Sequence, residues 1–465
     1  MNAFAARRKR FLEALTHPVV LFAGAAPPRN YVANPYPFRA DSNFLYFFER
    51  PEAQSAACFD PADGTVTLFL PERTLDDAIW HGPAESFEEA KVRHDVDAVV
   101  AVKSLESGLS KRLAGRDVWS VGVPDEASRA IASRLCASAI SFADHTTIAP
   151  PTLIDLIASL RMRKDAEELA FMRDTARVTR DAHVAAMKAT RLGVSEQVLA
   201  GIVEGTFLQA ACVPAYLTIL SVRSEVLHNH SHDNTLRDGD LVLLDAGAEH
   251  PSGYCSDVTR CWPASGVFSS PARDLYDVVL AAQIAAIDKV RPGVRYKDVH
   301  HTASLKLAEG LCHLKLLKGS PEDAVESGAH AIFFPHGVGH AIGLDVHDME
   351  AFGDRVHYPK GRTRSTQFGT RNLRLDVDLA DGVTVTIEPG LYFVPGIIHS
   401  APLRAQFAAQ VDFARAETYL AMNDGRGFGG VRIEDDVRCT SGAPEVLTAA
   451  IPKERRELEA LVGNS

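Results

Sequence analysis

The hydrophobic positions of the first 150 residues alternate between short runs and helical spacings. Short apolar runs typical of strands occur at Val19–Phe22, Phe44–Phe48, Ala56–Phe59, Thr65–Leu70, Val96–Val102 and Val118–Val123. Helical spacing covers the residues up to about Leu15 and returns over Asp125–Ala139. Strands interleaved with helices predict a small α/β domain with a mixed sheet.

The pattern changes near residue 150. The segment His145–Thr152 contains two consecutive prolines and has no periodicity, so we place a junction there, between domains 1–150 and 151–465. A chain of 465 residues is also longer than one core usually supports. A long helix is then predicted over Asp165–Thr190 with Gly193 as its stop.

Later helical spacings and one short strand pattern follow in the second domain. Pro271–Val290 and Tyr296–Leu311 both have helical spacing, and Ser270 before the proline is a candidate N-cap. Between these helices and the first long one, four apolar residues run into Asp245, and a turn segment leads on to Asp257. This pattern predicts a β-hairpin with one carboxylate on each strand.

Acidic side chains at the end of an apolar run suggest a metal site. Burying such a carboxylate is costly unless something compensates its charge, and a metal ion is the usual compensation. The alternative is a pair of exposed hairpin aspartates. The same pattern recurs three times, with His340 closing PHGVGH, Glu388 closing VTVTIE and Glu434 inside GGVRIED. Four oxygen donors and one imidazole suit a pair of Mn²⁺, Co²⁺ or Zn²⁺ ions better than one structural zinc.

These segments resemble a known family. DAG with SDVTR, PHGVGHAIGLDVHD, TIEPGLY and GGVRIEDD occur in the order found in the pita-bread metallopeptidases, which include methionine aminopeptidase, aminopeptidase P, prolidase and the metal-free creatinase. The likeness covers roughly residues 155 to 450. It implies an α+β pita-bread (creatinase/aminopeptidase) domain after the smaller α/β domain. Asn34–Tyr46 resembles the N-terminal domain that aminopeptidase P and prolidase share and methionine aminopeptidase lacks.

The resemblance also implies roles for the five residues. Asp257 and Glu434 are expected to bridge two divalent ions, with Mn²⁺ favoured and Co²⁺ or Zn²⁺ as alternatives. Asp245 is expected to chelate one ion, and His340 with Glu388 to hold the other. Glu388 is also the family's candidate general base and acid.

Three further histidines coincide with family positions that contact substrate or stabilise the tetrahedral intermediate: His228, His336 and His347. A lone histidine is more often a surface or core residue, so the resemblance carries this interpretation. A helical HxxxH zinc motif is disfavoured because two glycines lie between His336 and His340. One departure from the family is visible, since Asp245 and Asp257 lie twelve positions apart, one more than usual. We expect the turn to absorb the extra residue.

The substrate expected from the resemblance is an Xaa-Pro peptide. Arg374 lies at the offset of the prolidase arginine that binds a free carboxylate, and the long insertion between Tyr392 and Gly429 also resembles prolidase. An Xaa-Pro dipeptidase is therefore favoured, with an aminopeptidase P acting on longer peptides as the alternative. A noncatalytic pita-bread binding module is the alternative outside the enzymes. The family likeness implies a homodimer or higher homo-oligomer.

Charge and cysteine content limit the partners and the compartment. A net charge of −11 disfavours nucleic acid and anionic membranes. The seven cysteines form no CxxC pair and indicate reduced thiols. A basic cluster precedes an apolar stretch at the N-terminus, but Glu13, His17 and Pro18 interrupt it, so a signal peptide is disfavoured. No run reaches the ~18 to 20 apolar residues of a membrane span, and we expect a cytoplasmic protein.

Overall fold

A computed structural model describes residues 2–83, 85–121, 125–136, 149–359 and 361–464. The chain forms two compact units, one of Met1–Met162 with Met349–Val356 and one of Arg163–Asp348 with His357–Ser465. The junction expected within His145–Thr152 falls mostly on residues outside the described part of the chain. The domain boundary at residue 150 therefore stays a prediction.

The first unit contains the mixed sheet that the sequence predicts. Its strands are Val19–Phe22 (β1), Ala56–Asp60 (β2), Thr65–Leu70 (β3) and Ala98–Ala101 (β4). They lie in the order β1-β2-β3-β4. The first three pair antiparallel, and β4 runs parallel to β3. The helices up to residue 162 are Ala3–Ala14 (α1), Ser42–Phe47 (α2), Leu75–His81 (α3), Phe87–His94 (α4), Leu105–Arg112 (α5), Glu126–Leu135 (α6) and Pro151–Met162 (α7).

The core of this unit is built from alternate side chains of the sheet. Val20, Phe22, Cys58 and Phe69 pack with Leu109 of α5 in one buried cluster. Residues of opposite parity on a strand face the other side of the sheet. There an aromatic cluster forms, with ring centroids 4.6 Å apart for Phe11 and Phe47 and 5.0 Å apart for Phe11 and Phe59.

The strand predicted at Phe44–Phe48 is wrong. The segment belongs to α2, which begins after Asp41, whose side chain accepts a hydrogen bond from the Asn43 N–H at 2.9 Å. All six residues of α2 are buried, and a short apolar run fits a fully buried helix as well as a strand. Of the predicted strand Val118–Val123, Trp119 forms one parallel bridge with Val19, while residues 122–124 lie outside the described part, as do 137–139 of the predicted helix Asp125–Ala139.

The second unit mixes long helices with short strands. The helices after residue 162 are Ala166–Ala189 (α8), Glu196–Gln209 (α9), Ser270–Lys289 (α10), Tyr296–His313 (α11), Pro321–Ser327 (α12), Asp354–His357 (α13), Pro395–Ile398 (α14), Ala401–Phe407 (α15), Phe413–Leu420 (α16), Met422–Gly425 (α17) and Arg455–Leu461 (α18). The strands are Val213–Pro214 (β5), Ile219–Ser221 (β6), Leu241–Asp245 (β7), Ala248–Glu249 (β8), Thr259–Pro263 (β9), Thr384–Ile387 (β10), Gly390–Tyr392 (β11), Gly430–Arg432 (β12), Asp435–Arg438 (β13) and Glu445–Val446 (β14).

The predicted long helices of this unit are confirmed within a few residues. α8 begins with a capping box in which Asp165 and Glu168 satisfy each other's backbone N–H groups. The N-cap of α10 is Ser269 rather than the expected Ser270. No described helix has both the length and the apolar character needed to cross a bilayer.

Small antiparallel pairings position the site residues. β7 lies between β6 and β9, and β10 pairs with β13, which also pairs with β14. β11 pairs with β12 so that Gly390 lies opposite Arg432. Glu388 therefore lies between β10 and β11. Glu434 lies between β12 and β13, which pair with β11 and β10, respectively.

Candidate active site

The predicted hairpin delivers both aspartates. β7 ends at Asp245, which lies opposite Thr259 of β9. Asp257 precedes β9 by two residues and belongs to the connection, so the expectation of one carboxylate on each strand is wrong for the second aspartate. In the turn, Gly253 donates its N–H to the carbonyl of His250 at 2.7 Å.

A close backbone approach brings the two ends of this connection together. A Cβ at Gly247 would lie 1.7 Å from the carbonyl oxygen of Ser256, a distance that no side chain tolerates. The N–H of Ala248 donates to the Thr179 hydroxyl at 3.0 Å, which in turn lies 2.6 Å from the Ser256 hydroxyl. Glycine is therefore required where the chain passes between the two aspartates.

Tyr216 joins the two aspartates and was not predicted from the sequence. Its hydroxyl lies 2.6 Å from Asp245 Oδ1 and 2.6 Å from Asp257 Oδ1. One hydroxyl has one proton, so it donates to one carboxylate at a time. Tyr216 lies in the short connection between β5 and β6, where no motif marks it, and only the pairing of β6 with β7 brings it near Asp245.

His340 faces two of the acidic groups. Its Nε2 lies 3.4 Å from Asp257 Oδ2 and 3.6 Å from Glu388 Oε1. Its Nδ1 donates to the carbonyl of Ala341 at 3.1 Å. With one proton held on Nδ1, loss of the second proton would leave the lone pair of Nε2 directed toward the carboxylates, which is the form of histidine that binds a metal.

The glycine-rich segment before His340 sets this geometry. Gly339 has a φ of 151°, and a Cβ there would lie 2.3 Å from the carbonyl oxygen of Thr386. The segment packs directly along β10, where the N–H of Glu388 donates to the carbonyl of Val338 at 2.8 Å. His340 and Glu388 are therefore held side by side by backbone contacts.

Glu434 completes the cluster from a fourth segment. The Thr259 hydroxyl donates to Glu434 Oε2 at 2.6 Å. Ligand atoms of Asp257, His340 and Glu434 all lie within 4.8 Å of one another, and all three residues are buried. The structure thus brings the five residues of the predicted metal set together. Asp245 is linked to Asp257 by the Tyr216 hydroxyl, and Glu388 contacts His340.

The pKa values of three of these carboxyl groups are raised. Burial raises the pKa of Asp245 to about 6, against the charge of Arg432, and raises the pKa of Glu388 to about 7, against His340 and Arg432. Burial and repulsion from Asp257 and Glu388 raise the pKa of Glu434 well above its ordinary value. Burial alone would lower the pKa of His340, but its contacts with Asp257 and Glu388 raise it to about 9.

This arrangement fits divalent metal ions. Four carboxylates crowd around His340 and Arg432, and the raised pKa values of Asp245, Glu388 and Glu434 indicate that their negative charge is incompletely compensated. A divalent cation would supply the missing positive charge, and oxygen donors with one imidazole are suitable ligands for Mn²⁺, Co²⁺ or Zn²⁺.

A chain of hydrogen bonds connects the cluster to His336. Arg432 forms a buried ion pair with Asp245 and donates from Nη1 to the Tyr392 oxygen at 3.1 Å. The Tyr392 hydroxyl lies 3.0 Å from His336 Nε2. His336 Nδ1 lies 2.8 Å from the carbonyl of Gly337, which can only accept. Nδ1 therefore bears the proton of a neutral ring, and burial with the charge of Arg432 lowers the pKa of His336 to about 3.

The remaining predicted residues also lie in this region. The rings of His347 and His340 are 4.3 Å apart at a 69° angle. The pKa of His228 is lowered by partial desolvation and by the charges of Arg432 and Arg374, so both arginines act on this ring. Arg374 also lowers the pKa of His336. Their roles in catalysis and substrate binding stay predictions.

Glu196 holds the segment that carries His228. This buried carboxylate accepts hydrogen bonds from the Val222 N–H at 2.7 Å and the Ser221 hydroxyl at 3.1 Å. Its second oxygen accepts from the N–H and the side chain of Asn234 at 3.0 and 2.9 Å. Both ends of the segment 221–234 are thus fixed to the start of α9.

Comparison with known proteins agrees with this geometry. A family model described as Metallopeptidase family M24 matches residues 170–441, and one described as Aminopeptidase P, N-terminal domain, matches residues 4–121. The Xaa-Pro dipeptidase of Homo sapiens is 32% identical over 478 residues, covering 98% of this chain and 92% of its own. The probable Xaa-Pro aminopeptidase PEPP of Ajellomyces capsulatus is 32% identical over 444 residues, covering 92% and 88%.

Solved structures of similar proteins align with nearly the full length of the chain. Aminopeptidase P from E. coli, solved with the inhibitor Pro-Leu, is 28% identical, with a TM-score of 0.79 and coverage of 99% of this chain and 97% of its own. Pseudomonas aeruginosa aminopeptidase PepP gives a TM-score of 0.77 at 28% identity. The resemblance and the α+β fold inferred from the sequence are confirmed. The chain belongs to metallopeptidase family M24, among the Xaa-Pro peptidases that carry the aminopeptidase P type of N-terminal domain.

Proposed function

We propose that this metallopeptidase hydrolyses the Xaa-Pro bond of dipeptides with the aid of two divalent ions. The observation that carries the proposal is the convergence of Asp245, Asp257, His340, Glu388 and Glu434, from four separate segments of the chain, in one largely buried cluster. All five positions of the predicted set are filled, which disfavours the noncatalytic binding module.

The five residues would hold the ions, and Mn²⁺ is the ion we favour, with Co²⁺ or Zn²⁺ as alternatives. Bound ions of this kind lower the pKa of water and polarise a carbonyl group. Asp257 and Glu434 are the expected bridging groups because each carboxylate can offer one oxygen to each ion.

Glu388 is the residue we propose for proton transfer. Its side chain is 17% exposed and faces both His336 and His340. A carboxylate with a pKa near the working pH exchanges protons efficiently, and burial, opposed by the charges of His340 and Arg432, raises the pKa of Glu388 to about 7. It would accept a proton at a carboxylate oxygen and pass it to the leaving proline nitrogen, which has no hydrogen of its own in the peptide.

The histidines are proposed to orient the substrate. His228 and His347 are expected to donate hydrogen bonds to substrate oxygens, and the lowered pKa of His228 keeps its ring neutral at pH 7. Both ring nitrogens of His336 already lie within hydrogen-bond reach of protein groups, Tyr392 and Gly337. We therefore expect its contribution to include the placement of Glu388, whose Oε2 lies 3.8 Å from His336 Nδ1.

Arg374 favours dipeptides over longer substrates. Its charge acts on both His228 and His336, which supports the proposal that Arg374 pairs with the free carboxylate of a dipeptide. The second candidate is release of the N-terminal residue from longer peptides. It is favoured by the match of residues 4–121 to the aminopeptidase P N-terminal domain.

The test compares glycyl-proline with glycyl-prolyl-leucine in the presence of Mn²⁺. We expect faster hydrolysis of the dipeptide, and a loss of about 10- to 100-fold in kcat/KM for the dipeptide in Arg374→Ala, because a charge-assisted hydrogen bond contributes roughly 1.5–3 kcal/mol. Arg371→Ala is the matched control, since Arg371 is exposed and stacks over Phe368 at 5.7 Å. An unaffected Arg374→Ala variant, or preference for the tripeptide, would favour the aminopeptidase.

We also propose self-association into a homodimer or higher oligomer. In α3 of the first unit, Leu75, Ile79 and Trp80 are 79%, 67% and 79% exposed, and apolar side chains this exposed often mark a protein contact. Light scattering should give a mass of at least two chains, and Trp80→Ser should reduce it. A monomeric wild type would contradict the proposal. A cytoplasmic location is proposed because all seven cysteines are present as thiols rather than as disulfides.

A further inference from the structure

A second cavity lies in the second unit between α11 and α12. Its volume is about 400 Å³, within the range of small-ligand sites. The helix α11 contributes Lys297, His300 and Ser304, and α12 contributes Glu322 and Glu326. None of these residues belongs to the candidate active site, and no proposed step of the hydrolysis uses them.

The cavity keeps opposite charges apart. Lys297 is an exposed ammonium on α11, and Glu322 and Glu326 are exposed carboxylates on α12. Although all three line one cavity, none forms an ion pair with another residue in the described ranges. A ligand with only a positive or only a negative charge would be repelled by one of the two helices. A ligand carrying both charges would be attracted by both helices.

Buried polar groups on α11 also lack partners. His300 and Ser304 lie one helical turn apart and are 4% and 1% exposed. Within the described part of the chain, neither ring nitrogen of His300 nor the hydroxyl of Ser304 has a hydrogen-bond partner. Leaving such buried groups without a hydrogen-bond partner destabilises a folded protein, and native structures rarely do so without a reason. Because both residues line the cavity, a polar ligand is a suitable partner.

The cavity does not have the geometry of a transition-metal site. It contains three histidines and two glutamates, a composition that could hold zinc. Among the described residues, however, the group whose ligand atoms converge within 4.8 Å is Asp257, His340 and Glu434. The side chains around the cavity are too far apart to coordinate one ion, so an organic ligand that spans them fits better.

We propose that this cavity binds a small zwitterion, an α-amino acid or a dipeptide, through one ammonium and one carboxylate. The carboxylate pairs with Lys297, and the ammonium pairs with Glu322 and Glu326. The ring N–H of His300 and the hydroxyl of Ser304 supply the polar contacts of the buried side. Binding at this site is independent of the hydrolysis proposed for the active site.

Isothermal titration calorimetry on the Mn²⁺-loaded full chain tests this proposal. The probes are L-leucine and leucyl-glycine, which are zwitterions of the two sizes, with N-acetyl-L-leucine and L-leucinamide as the single-charge controls. We expect at least one zwitterion to bind, and its affinity to fall at least tenfold in Lys297→Met. The zwitterion that binds more tightly shows whether the site prefers a free amino acid or a dipeptide.

A matched control lies on the same helix. Lys306 is similarly exposed but pairs with Glu309 at 2.7 Å and does not line the cavity, so Lys306→Met should bind the zwitterion normally. The double variant E322Q/E326Q should bind the zwitterion at least tenfold more weakly and bind N-acetyl-L-leucine with unchanged affinity. Xaa-Pro hydrolysis without added zwitterion should be unchanged in Lys297→Met, so this test does not depend on the proposed function.

Two outcomes would overturn the proposal. One is zwitterion binding that is equal in the wild type and Lys297→Met, or absent from both. The other is equal affinity for L-leucine and N-acetyl-L-leucine, which would mean that the two glutamates contribute nothing and the cavity is an anion site.

Discussion

Two roles are proposed for Glu388, those of metal ligand and of proton-transfer group. We expect Glu388→Gln to lower kcat for glycyl-proline by about 10²- to 10⁴-fold, the usual contribution of a general base. Steady-state kinetics with saturating Mn²⁺ measures this loss, and metal analysis by mass spectrometry separates it from loss of an ion. Glu457→Gln, which changes an exposed glutamate on α18, should behave as the wild type. A Glu388→Gln variant within tenfold of wild-type kcat would contradict the proposed role.

At the residue scale, the sequence identifies those site residues that lie in a recognisable motif. Asp245, Asp257, His340, Glu388 and Glu434 each end or follow a distinctive apolar or glycine-rich run, and the structure gathers them. Tyr216 has no such context, because its contacts depend on how β6 pairs with β7. Hydrogen bonds such as the one from Thr259 to Glu434 link positions 175 residues apart and leave no local pattern.

At the scale of the element, Gly247 controls the hairpin that delivers both aspartates. We expect Gly247→Ala to lower the melting temperature and Mn²⁺ affinity together, because its Cβ would collide with the Ser256 carbonyl, which is backbone and cannot move aside. Differential scanning calorimetry and metal titration measure the two effects.

A helical glycine provides the control for this substitution. Gly201 in α9 has no atom within 4 Å of an added Cβ. Gly201→Ala should stabilise the protein slightly, since alanine is favoured over glycine in a helix interior by roughly 1 kcal/mol. Equal behaviour of Gly247→Ala and Gly201→Ala would show that the close approach at residue 247 is not important.

Elements were predicted well where length and capping agree. Asp165 and Glu168 mark the start of α8 by a local rule that needs no tertiary context, and the helix follows as expected. The run Phe44–Phe48 is too short for its period to separate strand from helix. Burial on every side decides that it is helical, and burial is a property of the packed unit.

At the scale of the whole molecule, buried histidines should make stability sensitive to acid. Burial lowers the pKa of His183 to about 3, against 6.5 in the unfolded chain. As the pH falls, His183 therefore becomes protonated in the unfolded state before it does so in the folded state. The stability that this histidine contributes is complete above pH 6.5 and is lost as the pH falls toward 3. The slope is at most about 1.4 kcal/mol per pH unit for one such group.

Urea unfolding at pH 7 and pH 5 tests this expectation. His183→Gln keeps a donor for the carbonyl of Ala246, which His183 contacts at 3.1 Å, and removes the titration. Between the two pH values, the wild type should lose about 2 kcal/mol more free energy of unfolding than the variant. The comparison cancels the contribution of the carboxylates, whose raised pKa values act in the opposite direction. Parallel losses in both proteins would contradict a buried neutral His183.

The scattered origin of the ligand set has a consequence for biosynthesis. A nascent chain that has passed Asp257 offers two carboxylates, and the imidazole and the last carboxylate follow only at positions 340 and 434. Until translation reaches Glu434, no partial chain can present all five donors to a cation. If the proposed ligand set is right, binding of the divalent ions is therefore a late event in maturation, and prematurely terminated chains would be unable to hold them in this way.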